Sequence, residues 1–525
     1  MAFEPPNAED SCLKNHPYRH TFSPGTSTEC SPNASGDLEK FDSRHDEEGD
    51  HIDVNKEQAQ ADDTEDGDAT NDLSAQTSST TTPGDHHVAR ASSRLPERVA
   101  SRMSTSSALT FPEGGLSGWL AVCGSFCAML SVFGLINSSA VFESYFSTHQ
   151  LKDYSASQLG WIFSLYLFCV FFIGIQVGPI FDRHGPRWLV AIGSLLMVLS
   201  LMLLGLCTEY YQILLTYSIM GGLGGALLNS PAYGTIAHFF NVRRGFATGI
   251  ASTAGGIGGI IFPVMLQKLL PQLGFAWSTR ILGFILLAVA VPANLWIRTR
   301  LPPRKTPIGA AGDCRWWSKF ARVMPDFRVF RDKRFALAAV GIFFMEWGLF
   351  IPLTFIVSYA AANGQDATSS YTLLSLLNAG SVLGRFLPGV MADRFGRFNV
   401  IILTITLCCA TVLGLWLPAG DSQAMIISFA VIFGFASGSN LGLVPVCLGQ
   451  LCDSRDYARY LSTANFLASF GTLSSVPIGG ALLGDGGDTG WMSVILFSGV
   501  SYAMALVCYG SARVLAVGWG IRTIF

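Results

Sequence analysis

The sequence is poor in charge and lacks the motifs of ATP-driven or hydrolytic proteins. Only 14% of its 525 residues are charged, whereas a soluble domain carries about 25%. It has no phosphate-binding Walker loop and no recognisable Ser/His/Asp arrangement. The twelve cysteines show no CxxC or Cys/His metal spacing, and most lie in apolar runs as small hydrophobic residues. These absences argue against a soluble enzyme, a metal centre and a primary pump.

The few charges are unevenly distributed. Residues 1–111 hold 21 of the 37 acidic and 9 of the 34 basic side chains, which leaves 16 acidic and 25 basic side chains for the rest. The first segment is also rich in Ser, Thr and Gly and cannot bury enough apolar surface to offset the entropy of ordering. We therefore predict that residues 1–111 form a disordered acidic tail.

Long apolar runs fill the remainder of the chain. Because a bilayer-spanning helix needs about 20 mainly apolar residues, the runs predict an all-α membrane protein with twelve transmembrane helices. The approximate spans are 117–142, 158–181, 188–208, 211–238, 245–267, 277–297, 335–360, 369–391, 399–419, 422–448, 460–483 and 489–512.

Lys and Arg in the loops predict the orientation. With the tail inside, the inner loops hold nineteen basic residues and the outer loops three. Both termini are then cytoplasmic, most simply at the plasma membrane, with a vacuolar or other internal membrane as the alternative. The predicted domains are a first half at 112–297, a basic cytoplasmic linker at 298–334, a second half at 335–513 and a short tail at 514–525. The linker is either an amphipathic helix on the anionic leaflet or a plain connection.

One charged decapeptide occurs twice, as GPIFDRHGPR at 178–187 and GVMADRFGRF at 389–398. Each copy follows the second span of its half, as expected for parallel six-helix repeats that form two pseudo-symmetric halves. Glycine permits close approach, aspartate suits a helix N-terminus, and arginine can bond across the seam between halves. The predicted gating residues are Gly178, Asp182, Arg183, Gly185, Arg187, Gly389, Asp393, Arg394, Gly396 and Arg397.

These decapeptides resemble the signature loop of the major facilitator superfamily, which implies that they stabilise one of two alternating-access states. The stretches PEGGLSGWLAV (112–122) and FFNVRRGFATGIASTAGGIGG (239–259) are similar to the two signatures of the monocarboxylate porter family, and residues 373–399 resemble its fungal branch. In the fifth span, small residues recur at close intervals and predict tight helix packing. The glycines concerned are Gly249, Gly255, Gly256 and Gly259.

Two ionisable residues lie deep in predicted spans, Arg385 in the eighth and Glu346 in the seventh. Such residues are costly in a bilayer and mark site candidates. Arginine binds carboxylates through two parallel hydrogen bonds, and the resemblance implies that an arginine at this place meets the substrate carboxylate. The alternative is that Arg385 only pairs with Glu346 and holds two helices together.

Two departures from the animal porters bear on proton coupling. Their helix-eight aspartate and helix-one lysine are replaced here by Ser381 and Asn137. Glu346 is then the one deep carboxyl that could carry a proton, and uncoupled movement of a larger solute is the alternative. Several asparagines on spans either face the cavity or bond a neighbouring helix. They are Asn137, Asn229, Asn378, Asn440 and Asn465, of which Asn137 and Asn378 are predicted substrate contacts with Ser381.

Together these features predict a secondary active or facilitative transporter of a small, monocarboxylate-like organic acid that works by alternating access. An exporter of a fungal secondary metabolite is the alternative, and a non-transporting solute sensor on the same fold is a third interpretation. The expected partners are a small organic anion or amphiphilic metabolite and the lipid bilayer, without nucleic acid. No cofactor is predicted beyond possible proton coupling, and the oligomeric state is left open.

Overall fold

A computed structural model describes residues 110–301, 325, 327–365, 367–484, 487–520, 523 and 525. The predicted acidic tail up to residue 109 and most of the predicted basic linker lie outside these residues. Within them the secondary structure is helical throughout, without strands.

The first set of helices runs from residue 115 to residue 296. Its members are α1 (Gly115–Ile136), α2 (Ser139–Thr148), α3 (Ala156–His184), α4 (Arg187–Leu204), α5 (Tyr210–Ile213), a π-helical segment (Leu214–Met220), α6 (Gly221–Phe239) and α7 (Arg244–Trp296).

The second set follows a short 3₁₀ turn at Phe327–Arg331 and runs from residue 333 to residue 517. Its members are α8 (Lys333–Ala362), α9 (Ala367–Phe395), α10 (Arg397–Thr411), a π-helical segment (Val412–Trp416), α11 (Gln423–Leu448), α12 (Tyr457–Leu483) and α13 (Asp488–Val517).

Eleven helical runs of the described residues are long and apolar enough to cross a bilayer. The number is one below the predicted twelve because α7, with 53 residues, contains two predicted spans. Gly274 breaks its helical geometry with φ 75° and ψ 173°, a conformation that glycine adopts without the steric penalty of a side chain. The arms on either side of Gly274 correspond to the predicted fifth and sixth spans.

Both repeated decapeptides form the junction between two helices. Gly185 ends α3 with φ 80°, and Gly396 separates α9 from α10 with φ 97°. Left-handed glycines are the usual residues just past a helix end. The second glycine of each copy therefore turns the chain, and the end of the bundle where both copies lie is called the joint end below.

Two seams join the first set to the second. At one seam α3 packs on α12, and at the other the first arm of α7 packs on α9. In each case the second crossing of one set meets the fifth crossing of the other, which is the arrangement expected from a pseudo-twofold repeat. The space enclosed between these seams contains the candidate site.

Candidate functional site

The aspartate of the first decapeptide caps a helix of the second set. The Asp182 carboxylate accepts hydrogen bonds from the backbone N–H groups of Ala458 (3.3 Å) and Arg459 (2.9 Å). Both belong to the first turn of α12, where backbone donors lack partners within the helix and the dipole favours negative charge. Asp182 therefore caps a helix N-terminus, which its chemistry favours. The helix is α12, across the seam, and not α4, which follows Asp182 in the sequence.

The second decapeptide repeats this contact with the two sets exchanged. The Asp393 carboxylate accepts hydrogen bonds from the N–H groups of Gly245 (2.9 Å) and Phe246 (2.8 Å), in the first turn of α7. Both seams are therefore fastened at the joint end by the same interaction, a carboxylate that caps the fifth crossing of the opposite set.

The first glycine of each copy allows the backbones to meet at these caps. A Cβ atom on Gly178 would collide with the Ser462 hydroxyl and the Ala458 carbonyl, and one on Gly389 would lie 2.6 Å from the Gly245 carbonyl oxygen. Real Cβ atoms essentially never approach so closely. A side chain at either glycine would push the seam apart.

The arginines of the decapeptides are placed differently from one another. Arg397 donates a hydrogen bond to the Asn241 carbonyl across the seam between α9 and α7. Arg183 is half-buried, and Arg187 and Arg394 are exposed. These three make no side-chain hydrogen bond to the described residues, so the cross-seam bonding that we expected of the arginines is seen only for Arg397.

Arg244 is a seam residue that the sequence did not reveal. Its guanidinium is buried, with 1% exposure, and it donates to the Gly449 carbonyl (2.8 Å) and the Ser454 hydroxyl (2.7 Å) of the second set. It also lies 5.4 Å from the centre of the Tyr457 ring, within cation–π range. In the sequence it counted only as one of two adjacent loop charges, and its position as the first residue of α7 was the signal that could have singled it out.

The two stretches that resemble monocarboxylate porter signatures touch each other. The Glu113 carboxylate accepts hydrogen bonds from the N–H groups of Asn241 (2.9 Å), Val242 (2.8 Å) and Arg243 (3.0 Å). Glu113 is the one non-glycine residue with positive φ in the described ranges, where such a conformation costs on the order of 1 kcal/mol. The acidic residue before α1 thus holds the turn before α7 in place.

A narrow pocket of about 30 Å³ lies between the two helix sets. Its lining combines apolar and aromatic side chains with a few polar and charged groups, as is usual for small-molecule sites. Its walls are formed by Phe133, Phe171, Asn229, Tyr233, Glu346, Arg385, Leu441, Val444, Pro445, Leu461 and Asn465.

Arg385 lies on the pocket wall and is held by two neighbours. Its Nη1 donates to the Ser252 carbonyl of α7 (2.6 Å), and its Nε donates to the Ser381 hydroxyl (3.2 Å). Its Nη2 has no hydrogen-bond partner among the described residues. Ser381, which replaces the aspartate of the animal porters, therefore orients the guanidinium without neutralising its charge.

Glu346 faces the same pocket from α8. Its side chain is 4% exposed, and its Oε2 has no hydrogen-bond partner in the structure. No ion pair within 4.0 Å joins it to Arg385, although Glu346, Arg385 and Tyr233 line the same pocket. In this conformation Arg385 makes no direct ion pair with Glu346 and bonds across the seam to Ser252 instead.

Asn137 and Asn378 bond to α7 and do not line the pocket. Asn137 Nδ2 donates to the Gly255 carbonyl (2.8 Å), and Asn378 Nδ2 donates to the Gly259 carbonyl (3.3 Å). Pro263, four residues further along, cannot supply the helical donor for the Gly259 carbonyl, so Asn378 replaces that missing donor. Of the five predicted substrate contacts, only Arg385 and Glu346 reach the pocket, and Ser381 acts through Arg385.

The predicted packing glycines lie on the faces of α7 that approach its neighbours most closely. A Cβ atom would lie 2.6 Å from the Arg385 carbonyl oxygen at Gly249, 2.7 Å from Val382 Cγ2 at Gly256 and 2.6 Å from Asn378 Oδ1 at Gly259. At Gly255 it would lie 2.8 Å from Phe133 Cβ, on α1. Small residues at these positions let α7 lie directly against α9 and α1.

The remaining asparagines divide between the two roles left open by the sequence. Asn229 and Asn465 line the pocket, whereas Asn440 is buried elsewhere, where it accepts a hydrogen bond from Thr404 (2.8 Å) and donates to Cys408 Sγ (3.3 Å). Tyr233, a pocket residue, had no distinguishing signal in the sequence because tyrosines on apolar helices are common core residues.

Comparison with known proteins shows which family the sequence matches. The model for the Major Facilitator Superfamily matches residues 121–467 and 338–516. The MFS-type transporter opdF of Penicillium oxalicum is 38% identical over 79% of this chain and 94% of its own length. The riboflavin transporter MCH5 of Saccharomyces cerevisiae is 35% identical over 78% of this chain and 80% of its own. The aspyridones efflux protein apdF of Emericella nidulans is 34% identical over 74% and 76%.

Among solved structures, the fucose:proton symporter FucP of E. coli aligns with a TM-score of 0.57 over 74% of this chain and 98% of that one. The sequence identity is 17%, so the likeness concerns the fold alone. The predicted all-helical major facilitator fold is confirmed. Two of the relatives are named for riboflavin transport and for efflux, and the narrower assignment to monocarboxylate porters stays a prediction.

Proposed function

Because the chain belongs to the Major Facilitator Superfamily and is a transporter and not an enzyme, we propose that it carries an amphiphilic organic acid across a membrane by alternating access. The observation that carries the proposal is Arg385, a buried guanidinium on the wall of the pocket between the two helix sets. A buried cation needs a partner, and the acidic group of a substrate would provide one.

The conformation described here supports a closed gate at the joint end. Asp182 and Asp393 fasten the two seams, and Arg244 ties the start of α7 to the second set. We assign the joint end to the cytoplasm from the distribution of Lys and Arg, with both termini on that side and the plasma membrane as the site. In the opposite state these contacts would break and the pocket would open to the cytoplasm.

The residues that line the pocket favour an amphiphilic substrate over a simple monocarboxylate. Phe133, Phe171 and Leu441 offer apolar surface in the same pocket as the charged groups, which suits a molecule with an acidic group and an apolar body. Efflux of a secondary metabolite, as in the name of the aspyridones efflux protein, fits this chemistry. A small monocarboxylate-like acid uses the same cation but leaves the apolar wall without contacts.

A second candidate is uptake of a riboflavin-like heterocycle. The riboflavin transporter MCH5 supports it at 35% identity, and the aromatic side chains of Phe133, Phe171 and Tyr233 could stack on a planar ring. Here Arg385 would bind a ring carbonyl or another electron-rich edge instead of a carboxylate.

Glu346 is the proposed proton carrier if transport is coupled. It faces the pocket that holds Arg385, so protonation and substrate binding can influence each other through the electrostatic interaction of the two groups. A proton gradient would then accelerate wild-type transport, and Glu346→Gln would transport at a rate independent of the gradient. Equal gradient dependence in both proteins would exclude this role.

The function can be tested by counterflow in proteoliposomes that contain the purified protein. The trapped and labelled compounds would be phenylacetate, a longer aryl acid and riboflavin, each at several pH gradients. We expect saturable exchange of the longer aryl acid that Arg385→Ala abolishes and that Arg298→Ala, at an exposed arginine, leaves unchanged. Exchange of riboflavin alone would favour the second candidate, and acid exchange that survives Arg385→Ala would overturn the assigned site.

A further inference from the structure

Two buried oxygen atoms on the pocket residues have no hydrogen-bond partner. They are Asn229 Oδ1 on α6 and Glu346 Oε2 on α8, one from each helix set. The two side chains are only 3% and 4% exposed, and both line the pocket that contains Arg385.

Buried polar groups usually find partners, and of the fourteen side-chain atoms without one among the described residues, these two are the ones on the pocket wall. The other asparagine side chains buried in this bundle illustrate the rule. Asn440 is bonded to Thr404 and Cys408, and Asn378 donates to the Gly259 and Leu374 carbonyls. An unpartnered oxygen at the pocket wall, one from each helix set, is therefore placed to accept a hydrogen bond from a bound ligand.

The chemistry of these oxygens limits the ligand. An amide oxygen and a carboxylate oxygen both accept hydrogen bonds, whereas the neighbouring Arg385 only donates. A molecule that satisfies all three groups needs an acidic or acceptor group for the guanidinium and, in addition, an O–H or N–H group for the two oxygens.

We propose that the pocket selects acids that also carry a hydroxyl or N–H donor, and that Asn229 and Glu346 determine this preference. The inference rests on the proposed transport of an acid at Arg385 and narrows its substrate class to hydroxy- or amido-acids with an apolar body. Sites built to bond a substrate O–H or N–H reject analogues that lack it, because their own polar groups are then left buried without a partner.

The test compares two acids that differ in one donor, 3-hydroxyphenylacetate and 3-methoxyphenylacetate. They share the carboxylate and the ring, so Arg385 treats them alike. Dissociation constants would be measured by isothermal titration calorimetry on the purified full-length protein. We expect the wild-type protein to bind the hydroxyl compound at least about tenfold more tightly than its methyl ether.

The variants separate specificity from general binding. Asn229→Leu should bring the ratio of the two dissociation constants close to one, while Asn229→Asp, which retains an oxygen acceptor, should keep it. Asn294→Leu is the matched control, since Asn294 is exposed and donates to Ser194 and Ala290 away from the pocket. Glu346→Met provides an independent variant at the second oxygen, and it should also lower the ratio.

The outcomes distinguish the donor preference from the proposed transport of acids. Equal affinity of the wild-type protein for both compounds, or an unchanged ratio in Asn229→Leu and Glu346→Met, would overturn the donor preference while leaving acid transport intact. If the wild-type protein binds neither compound nor any acid of the counterflow panel, the proposed function and this inference fail together.

Discussion

Arg385 Nη1 donates a hydrogen bond to the Ser252 carbonyl, 2.6 Å away on the opposite side of the seam between α9 and α7. The same guanidinium lines the pocket. Nη2 and the second N–H of Nη1 remain for an acidic substrate. Substrate recognition and a contact between the two helix sets therefore involve the same side chain.

Removal of the Asp393 carboxylate should loosen the joint end of α7. Asp393→Ala deletes both hydrogen bonds to the first turn, and loss of such a cap costs about 1 kcal/mol. We expect backbone amides at 245–250 to exchange with deuterium about fivefold faster, as measured by mass spectrometry. Asp182→Ala should have the same effect at 458–462, and the exposed Asp421 provides the control substitution. Unchanged exchange at both helix starts would contradict the capping role.

A side chain at Gly389 should prevent the seam from closing. The added methyl of Gly389→Ala meets the Gly245 carbonyl oxygen, and overpacking of this kind costs about 1–3 kcal/mol. We expect a lower melting temperature and reduced counterflow. Gly510→Ala is the matched control, because a Cβ there has no neighbour within 4 Å and alanine favours a helix by roughly 0.5–1 kcal/mol. Equal melting temperatures for the two variants would refute the close contact.

Arg244 and Arg243 should differ sharply despite being adjacent. Arg244→Ala leaves the Gly449 carbonyl and the Ser454 hydroxyl without their charged donor, a loss of about 3 kcal/mol for hydrogen bonds to a buried charge. Arg244→Lys keeps the charge but not the fork-shaped donor geometry. It should therefore lose less stability than Arg244→Ala but remain less stable than the wild-type protein. Arg243→Ala removes an exposed side chain and should be nearly neutral. Denaturation in detergent measures the stability of the three purified variants. Similar losses of stability in Arg243→Ala and Arg244→Ala would argue against the buried contact.

Glu113, which lies just before α1, should stabilise the turn before α7. Glu113→Ala removes three backbone hydrogen bonds and should cost on the order of 2 kcal/mol. Glu113→Gln retains one acceptor oxygen and should lose less. Faster proteolysis at the turn of residues 240–243 in the alanine variant would report the loss, and protection equal to wild type would show that the turn is held by other contacts.

The crossings were predictable because lipid requires apolar runs of fixed length, and the repeated decapeptides were predictable as a repeat. The different roles of the residues within each decapeptide were not predictable. Gly178 and Gly389 permit close contact, whereas Gly185 and Gly396 supply left-handed turns, and this distinction depends on partners more than 50 residues away. Likewise, the sequence cannot show that Asp182 caps α12, because that helix starts in the other set.

The candidate site was predictable only in its charges. Arg385 and Glu346 stood out because ionisable groups are rare in spans, but the asparagines were indistinguishable before the structure. Asn229 reaches the pocket and Asn440 bonds the neighbouring helix α10, although both lie within apolar runs. The sequence could not distinguish Arg244 from Arg243, because a count of loop charges does not separate a buried arginine from an exposed one.

The most direct measurement of the central claim is the affinity of the wild-type protein and of Arg385→Gln for 3-hydroxyphenylacetate and its methyl ester. The ester keeps the ring and hydroxyl but has no negative charge. We predict that the wild-type protein prefers the free acid by about tenfold or more and that Arg385→Gln loses this preference while still binding the ester. An undiminished preference for the acid in Arg385→Gln would contradict the account.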